Sequence, residues 1–258
     1  MDEPRVARYL ERIGAAPGGE PNLARLADLQ ERHLHTVPFE NLSVHLDEPI
    51  ELVPDALVDK IVDRNRGGFC YELNGAFAAL LATLGYEVTI LAARVETPEG
   101  LGPLFDHLAL RVDVDGEPWL VDVGFGRFTH RPIRLDERGE QKDPGGTFLV
   151  MPDGAEGDLI VLCDGRREYR LEIRARTLAD FEPTCWWHRT SPKSHFTRSL
   201  VCSRLTGTGR ITLSGRTLIT TGPDGKHEEA LDSDAEVLDA YRRHFGISLD
   251  SVPGVRQH

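Results

Sequence analysis

Cysteine, positive charge and long apolar runs are all scarce in this chain. Its 258 residues include four cysteines, at positions 70, 163, 185 and 202, and no pair has CxxC spacing. In a chain of this length, such a pattern indicates reduced thiols in a reducing compartment rather than a disulfide framework. The N-terminus is charged and has no apolar signal-peptide run, and no apolar stretch approaches the roughly 18 residues of a membrane-spanning helix. We therefore expect a cytoplasmic protein without a membrane partner.

The charge balance excludes a further class of partner. Lysine and arginine number 30 against 42 acidic residues, which gives a formal net charge of -12. Such a field repels phosphate backbones, so nucleic acid is not an expected partner. A local basic patch for an anionic co-substrate stays compatible with this charge.

Hydrophobic periodicity divides the chain into three kinds of sequence. The first third predicts helices, including one from about Cys70 to Leu84 with an apolar face. The middle predicts strands separated by turn residues, as in an antiparallel barrel or sandwich. The last part is mixed, and Ser233 with Glu236 forms a capping box that opens a final helix. The order predicts an α+β fold in three parts.

Cys70 is the first candidate for chemistry. It follows Arg66-Gly-Gly-Phe69 and stands in the first turn of a predicted helix. Unpaired amides at that end stabilise a thiolate, so we expect a lowered pKa and a nucleophilic sulfur. The alternative is a small buried cysteine at a helix start, since cysteines are among the most buried residues.

A predicted hairpin supplies an acid–base pair. If Asp115-Gly116 is a two-residue turn, Asp122 opposes Ala109 and lies diagonal to His107 on the same face. Diagonal neighbours lie ~7–8 Å apart, within reach of an imidazole–carboxylate hydrogen bond. The carboxylate would fix the imidazole tautomer, and the other ring nitrogen would take a thiol proton. The alternative is an ordinary polar hairpin face.

Five segments resemble signatures of the arylamine N-acetyltransferases. They are Arg66-Gly-Gly-Phe-Cys-Tyr-Glu-Leu-Asn74, Val37-Pro-Phe-Glu-Asn-Leu42, Val121-Asp-Val-Gly-Phe-Gly126, Asp106-His-Leu108 and Ser191-Pro-Lys-Ser-His-Phe196. The resemblance runs in order to about residue 200. It implies an N-terminal helical bundle (1–85) carrying the nucleophile, a central antiparallel β-barrel (86–185) carrying the histidine and aspartate, and a C-terminal α/β lid (186–258).

The resemblance also implies a function. It implies a cysteine-protease-like core with Cys70, His107 and Asp122 as catalytic triad, and acetyl-coenzyme A as donor. The acceptors it implies are arylamines, arylhydrazines or arylhydroxylamines. Transfer would be ping-pong through a Cys70 thioester in a monomer or homodimer.

Further residues match by position alone. Phe39, Phe125 and Phe196 match positions that line the acceptor pocket in the family, although plain core packing is the alternative for Phe39 and Phe196. Gly124 and Gly126 match the loop beside the cofactor. The resemblance further implies that Arg66, Glu40 and Asn41 form a polar network that braces the cysteine loop.

One segment departs from the family pattern. Residues 184–188, Thr-Cys-Trp-Trp-His, stand where an asparagine-containing stretch is expected, which leaves the acceptor preference open. Cys185, His188, His195 and Cys202 are all metal-ligand types, but their spacing fits no common zinc pattern, and we predict no metal.

Three rivals to the acetyltransferase remain. An amide synthase of the same family would use the same triad to close a macrolactam on a polyketide carrier. A cysteine protease or transglutaminase would share the order of the triad but not the flanking motifs. A non-catalytic binding protein would leave Cys70 no more reactive than Cys163.

Overall fold

The first 86 residues are mainly helical in the computed structural model, which describes residues 1–154 and 157–255. The helices here are α1 (Glu3–Arg12), α2 (Leu23–Thr36), α3 (Leu42–His45), α4 (Pro54–Val58), which continues into a π-helical turn (Asp59–Asp63), and α5 (Cys70–Thr83). A two-residue strand, β1 (Phe39–Glu40), interrupts them. Asn22 caps α2 through its side chain, and Pro54 occupies the first turn of α4, where its missing N–H costs nothing.

Helix α5 lies at the centre of this part. Its buried residues face all sides, and Leu73, Phe77 and Leu80 are fully enclosed. The helix begins at Cys70 as predicted, and Gly85, with a φ of 93°, follows its end. Because residues 70–78 of α5 are all buried, its first turn stands inside the molecule rather than at the surface.

The middle of the chain folds into one antiparallel sheet that curls into a nearly closed barrel. Its strands are β2 (Glu87–Thr97), β3 (Gly100–Leu101), β4 (His107–Val114), β5 (Glu117–Val121), β6 (Ile133–Arg134), β7 (Gln141–Asp143), β8 (Gly146–Pro152), β9 (Leu159–Cys163) and β10 (Arg166–Arg176). The path runs β6-β5-β4-β2-β10-β9-β8-β7, and β3 pairs with β2. Strands β4 and β5 have the predicted register, with Val114 opposite Glu117.

The last part combines short helices with a second sheet. A 3₁₀ turn (Leu178–Phe181) leads into α6 (Glu182–Thr190) and α7 (His195–Arg198), and α8 (Asp234–Ala240) continues as a π-helical turn (Tyr241–Phe245). The strands are β11 (Val201–Thr206), β12 (Gly209–Ser214), β13 (Thr217–Gly222) and β14 (Gly225–Ala230). They form an antiparallel sheet in the order β1-β11-β12-β13-β14, so β1 ties the helical part to it. The predicted capping box at Ser233 is confirmed.

These elements confirm the predicted α+β fold class. The boundaries predicted at residues 85 and 185 stay a prediction, and α6 runs across the second of them. No helix among the described residues combines the length and apolar character that a membrane crossing needs.

Candidate active site

One cavity collects most of the predicted site residues. It has a volume of about 840 Å³ and lies where α5, the large sheet and the α6–α7 segment meet. The predicted residues in its wall are Cys70, His107, Gly124, Phe39, Phe125 and Phe196. Asp122 is buried behind this wall, with 1% of its surface exposed. A thiol, an imidazole and several aromatic rings thus share one space of substrate size.

Cys70 is buried at the first residue of α5, and its Sγ lies 4.0 Å from the carbonyl oxygen of Asp106. Burial raises the pKa of the Cys70 thiol well above its usual value, and the carboxylates of Asp106 and Asp122 act in the same direction. Backbone N–H groups of Leu108 and Tyr71 oppose this rise. Burial therefore opposes the lowering of the pKa that the helix end predicts. A thiolate here needs an adjacent positive charge.

His107 and Asp122 meet as the hairpin register predicts. His107 begins β4, and Asp122 directly follows β5, so the antiparallel pairing brings the two side chains together. The His107 Nε2 atom lies 2.6 Å from Asp122 Oδ2. Since Nε2 is engaged by the carboxylate, Nδ1 is the nitrogen left to exchange a proton.

Asp122 is held by further donors. Its Oδ1 accepts hydrogen bonds from Asn74 Nδ2 and from the Gly124 backbone N–H, both at 2.9 Å. Its Oδ2 accepts from the Tyr169 hydroxyl at 3.4 Å. Asn74 also accepts from the Val123 N–H at 2.9 Å, so one α5 side chain fixes the whole turn after β5. The sequence marks Asn74 only as the last residue of the Arg66–Asn74 motif. It gives no signal for Tyr169, which lies on β10, about fifty residues further along the chain.

Aromatic rings line the cavity in two groups. The Phe125 ring stands edge-on to the His107 imidazole, with 5.0 Å between centroids. On the other side, the Phe39 and Phe196 rings lie 6.2 Å apart, and Phe69 backs Phe196 at 5.3 Å. These positions suit a flat aromatic guest next to the thiol.

The loop that contains Gly124 and Gly126, called the glycine loop below, lies against the start of α5. A Cβ placed on Gly124 would fall 2.7 Å from the Cα of Cys70, so only glycine fits there. Gly126 has a φ of 92°, and a Cβ there would meet no atom within 4 Å. The loop is therefore closed against α5 at Gly124 and open at Gly126.

Buried ion pairs brace the segment before Cys70. Arg66 Nη2 lies 2.9 Å from Glu40 Oε1, and Lys60 Nζ lies 2.6 Å from Glu72 Oε1. Glu72 in turn accepts the Phe69 N–H at 3.1 Å. Although burial opposes it, the charges of Lys60 and Arg66 lower the pKa of Glu40.

Asn41 has a different neighbourhood from the one expected. Its side-chain amide donates to the carbonyl oxygens of Phe196 at 3.0 Å and Ser199 at 2.6 Å, and it accepts the Val201 N–H at 2.9 Å. It therefore fixes the segment that carries Phe196 rather than the cysteine loop.

The four candidate metal ligands do not come together as a ligand set. Cys185 packs in the core beside α5, whereas Cys202 belongs to the core of the second sheet. The rings of His188 and His195 lie 6.4 Å apart on the cavity wall. Within residues 1–154 and 157–255, no group of three or more His, Cys, Asp or Glu side chains has a metal-binding arrangement.

Comparison with known proteins identifies the family. A family model described as N-acetyltransferase matches residues 22–253. An arylamine N-acetyltransferase of Mycolicibacterium smegmatis is 35% identical over 255 residues, which cover 95% of this chain and 93% of that protein. The chain belongs to the arylamine N-acetyltransferase family. As a member of that family, it is an acyltransferase.

Other arylamine N-acetyltransferases extend the similarity. Human arylamine N-acetyltransferase 1 is 33% identical over 279 residues, covering 95% of this chain and 94% of the human protein. The solved structure of the Mycobacterium marinum arylamine N-acetyltransferase in complex with CoA has a TM-score of 0.85 and 34% identity, over 94% of this chain and 92% of that one.

Proposed function

We propose that this protein is an acetyl-coenzyme A:arylamine N-acetyltransferase that works by ping-pong transfer through a Cys70 thioester. One observation carries the proposal: the thiol of Cys70 shares a cavity with His107, whose imidazole is fixed by Asp122 at 2.6 Å. Splitting the transfer in two lets one site serve both substrates in turn.

In the first half-reaction, His107 Nδ1 takes the thiol proton and the sulfur attacks the thioester carbonyl. Burial raises the thiol pKa, so the imidazolium formed at His107 is the charge that makes the thiolate accessible. Asp122 stabilises that imidazolium. The Cys70 backbone N–H, at the first turn of α5, serves as an oxyanion donor. Coenzyme A leaves after His107 returns the proton to its sulfur.

In the second half-reaction, the arylamine nitrogen attacks the acetyl carbonyl on Cys70. His107 Nδ1 accepts the amine proton, and Cys70 leaves as the thiolate. Arylhydrazines and arylhydroxylamines fit the same scheme. The rings of Phe39, Phe125 and Phe196 bury the aromatic part of the acceptor.

The donor fits the open side of the glycine loop. A relative has been solved in complex with CoA, which supports coenzyme A as co-substrate here. We place its pantetheine along the loop of Gly124 and Gly126, on the side of Gly126, where a Cβ would meet no atom within 4 Å. Arg210 donates to the Gly126 carbonyl at 2.6 Å and brings a positive charge to this loop, which suits phosphates. A cytoplasmic location and a monomeric or homodimeric state stay predictions from sequence and family resemblance.

Intact-mass analysis after mixing the protein with acetyl-coenzyme A, without amine, tests the proposal. We expect one added acetyl group that peptide mapping assigns to Cys70, with stoichiometric release of coenzyme A. Cys70→Ser should take up none, whereas Cys163→Ser, which changes a distant thiol, should behave like the wild type. An acetyl group on another cysteine, or none on the wild type, would contradict the proposal. If the wild type takes up no acetyl group, a carrier-bound acyl donor, as in the amide synthase, becomes the better hypothesis.

A further inference from the structure

Asp106 and His188 form a second carboxylate–imidazole pair in the wall of the cavity. Both side chains line the space that holds Cys70 and His107. His188 Nε2 lies 3.3 Å from Asp106 Oδ1, and His188 is 1% exposed. Asp106 enters from the segment before β4, and His188 from α6, within the stretch that departs from the family pattern. The proposed chemistry uses neither side chain.

The surroundings of His188 favour one of its two neutral tautomers. Its Nδ1 faces the Ser194 hydroxyl at 3.4 Å. That hydroxyl oxygen accepts the Phe196 N–H at 3.2 Å, which leaves its own hydrogen free to be donated to Nδ1. Because the Asp106 carboxylate 3.3 Å from Nε2 can only accept, it favours a neutral His188 that carries its proton on Nε2.

The pair has unused hydrogen-bonding capacity. Although His188 Nε2 is close to Asp106, it lies outside hydrogen-bond geometry and has no hydrogen-bond partner within the described part of the chain. Among residues 1–154 and 157–255, the Asp106 carboxylate receives only a long hydrogen bond, 3.3 Å, from the Val95 N–H to Oδ2. A buried N–H left unpaired costs free energy, so a bound group that satisfies both partners gains correspondingly.

Each residue of the pair adjoins a group that the proposed reaction uses. The Asp106 carbonyl oxygen is 4.0 Å from Cys70 Sγ, and the His188 ring lies 5.0 Å from that of Phe196, centroid to centroid. A substituent on an acceptor ring that packs against Phe196 is therefore within reach of the pair.

We propose that Asp106 and His188 recognise a hydroxyl group on the aromatic ring of the acceptor, and so select hydroxyl-bearing arylamines. This inference rests on the proposed acetyl transfer. A hydroxyl oxygen accepts from His188 Nε2–H while its hydrogen is donated to the Asp106 carboxylate. A methoxy group can accept but not donate, and a ring carboxylate meets the negative charge of Asp106.

The test compares the three aminophenol isomers with the three methoxyanilines, which have similar ring electronics but no hydroxyl hydrogen. The measured quantity is the ratio of kcat/KM for each aminophenol to that of its methoxy counterpart. We expect a ratio of at least about tenfold for one isomer in the wild type, because sites built to bond a hydroxyl discriminate strongly. The ratio should fall to within about threefold of one in Asp106→Asn and in His188→Phe.

His195→Phe is the matched control, since it changes a neighbouring histidine of the same cavity wall and should leave the ratio as in the wild type. Circular dichroism checks that each variant folds. The ratio measured on the wild type tests the inference even if a variant does not fold. A wild-type ratio near one for all isomers, or a ratio unchanged in both variants, would overturn this inference but not the proposed function. Failure of Cys70 to carry acetyl, with no amine acetylated, would instead contradict the proposed function.

Discussion

At the scale of single residues, Asp122 organises the polar side of the cavity. Four groups converge on its two oxygens: the imidazole of His107, the amide of Asn74, the Gly124 N–H and the Tyr169 hydroxyl. Each of the latter three donates a hydrogen bond, so the site is built for an ionised carboxylate. The imidazole bond at 2.6 Å is the shortest of the four. We infer that the negative charge, not the shape of the side chain, is what the proton transfer needs.

Asp122→Asn should therefore remove nearly all transfer while leaving the fold intact. An amide can still bond the imidazole, but it stabilises imidazolium poorly and favours the wrong tautomer. The same change costs ~10⁴ in turnover in a well-studied triad. Initial rates of arylamine acetylation measure the effect, and a melting curve checks stability, because removing a buried charge partner can destabilise a protein.

The matched control is Asp113→Asn, in β4 of the same hairpin. Its carboxylate is paired with Arg111 at 2.6 Å and does not line the cavity. We expect its activity to stay near that of the wild type. If Asp122→Asn retains activity within about tenfold, a cost of only ~1.4 kcal/mol, Asp122 is not the orienting carboxylate.

Contacts between residues close in the chain could be predicted from the sequence, whereas contacts between distant residues could not. The His107–Asp122 contact was predictable because a two-residue turn at Asp115-Gly116, with both φ values positive, fixes the register of a short hairpin. Tyr169 was not predictable, since no local signal tells which residue of β10 faces Asp122. The effect of burial on the pKa of Cys70 was also not predictable, because it depends on all the residues packed around α5.

At the scale of elements, the start of α5 is held by a buried charge network. Glu72 accepts the Phe69 N–H, and Lys60 Nζ binds both Glu72 at 2.6 Å and the Ser43 hydroxyl at 2.7 Å. Burial raises the pKa of Glu72 even though Lys60 opposes the rise. The ionised form of the Glu72 carboxylate therefore depends on the charge of Lys60. The network thereby fixes the turn that presents Cys70.

We predict that Lys60→Met destabilises the protein by about 3–5 kcal/mol, because it leaves the Glu72 carboxylate buried without its partner. Urea unfolding of the variant measures the loss. In the double variant Lys60→Met with Glu72→Gln, part of the stability should return, since no uncompensated charge remains. A single variant within about 1 kcal/mol of the wild type would mean that the network is not needed to hold α5.

Elements with strong local signals were predictable, and those defined by distant partners were not. The capping box at Ser233 and the helix that starts at Cys70 are confirmed at their predicted starts. Helix α6 was missed because its tryptophans, cysteine and proline show no simple apolar stripe. Strand β1 has only two residues, and its pairing with β11 joins positions more than 160 residues apart. Such pairing depends on the whole fold, so it cannot be predicted from a local sequence pattern.

At the scale of the whole molecule, two of the apolar cores in the described residues are shared between the predicted parts, and another lies wholly within the large sheet. One apolar core contains Tyr9 and Phe77 from the helices, Leu110 and Val121 from the large sheet, and Phe196 from the third part. A second core joins Leu42, near β1, to the residues of β11–β13 and α8. The cavity that holds the candidate site lies where these parts meet, so its geometry requires all of them.

This sharing leads to a prediction for unfolding: in urea, the parts should lose structure together. Trp119 reports on the large sheet, and Trp186 and Trp187 report on α6. The variant Trp119→Phe leaves only the α6 probes, and Trp186→Phe with Trp187→Phe leaves only the sheet probe. Within each variant, the fluorescence midpoint should coincide with the circular-dichroism midpoint, as in a cooperative transition. Chains above about 150 residues often unfold through intermediates, so coincidence here would be informative. Midpoints separated by more than about 0.5 M urea would instead mean that one part unfolds on its own, and that the shared cores contribute little to cooperativity.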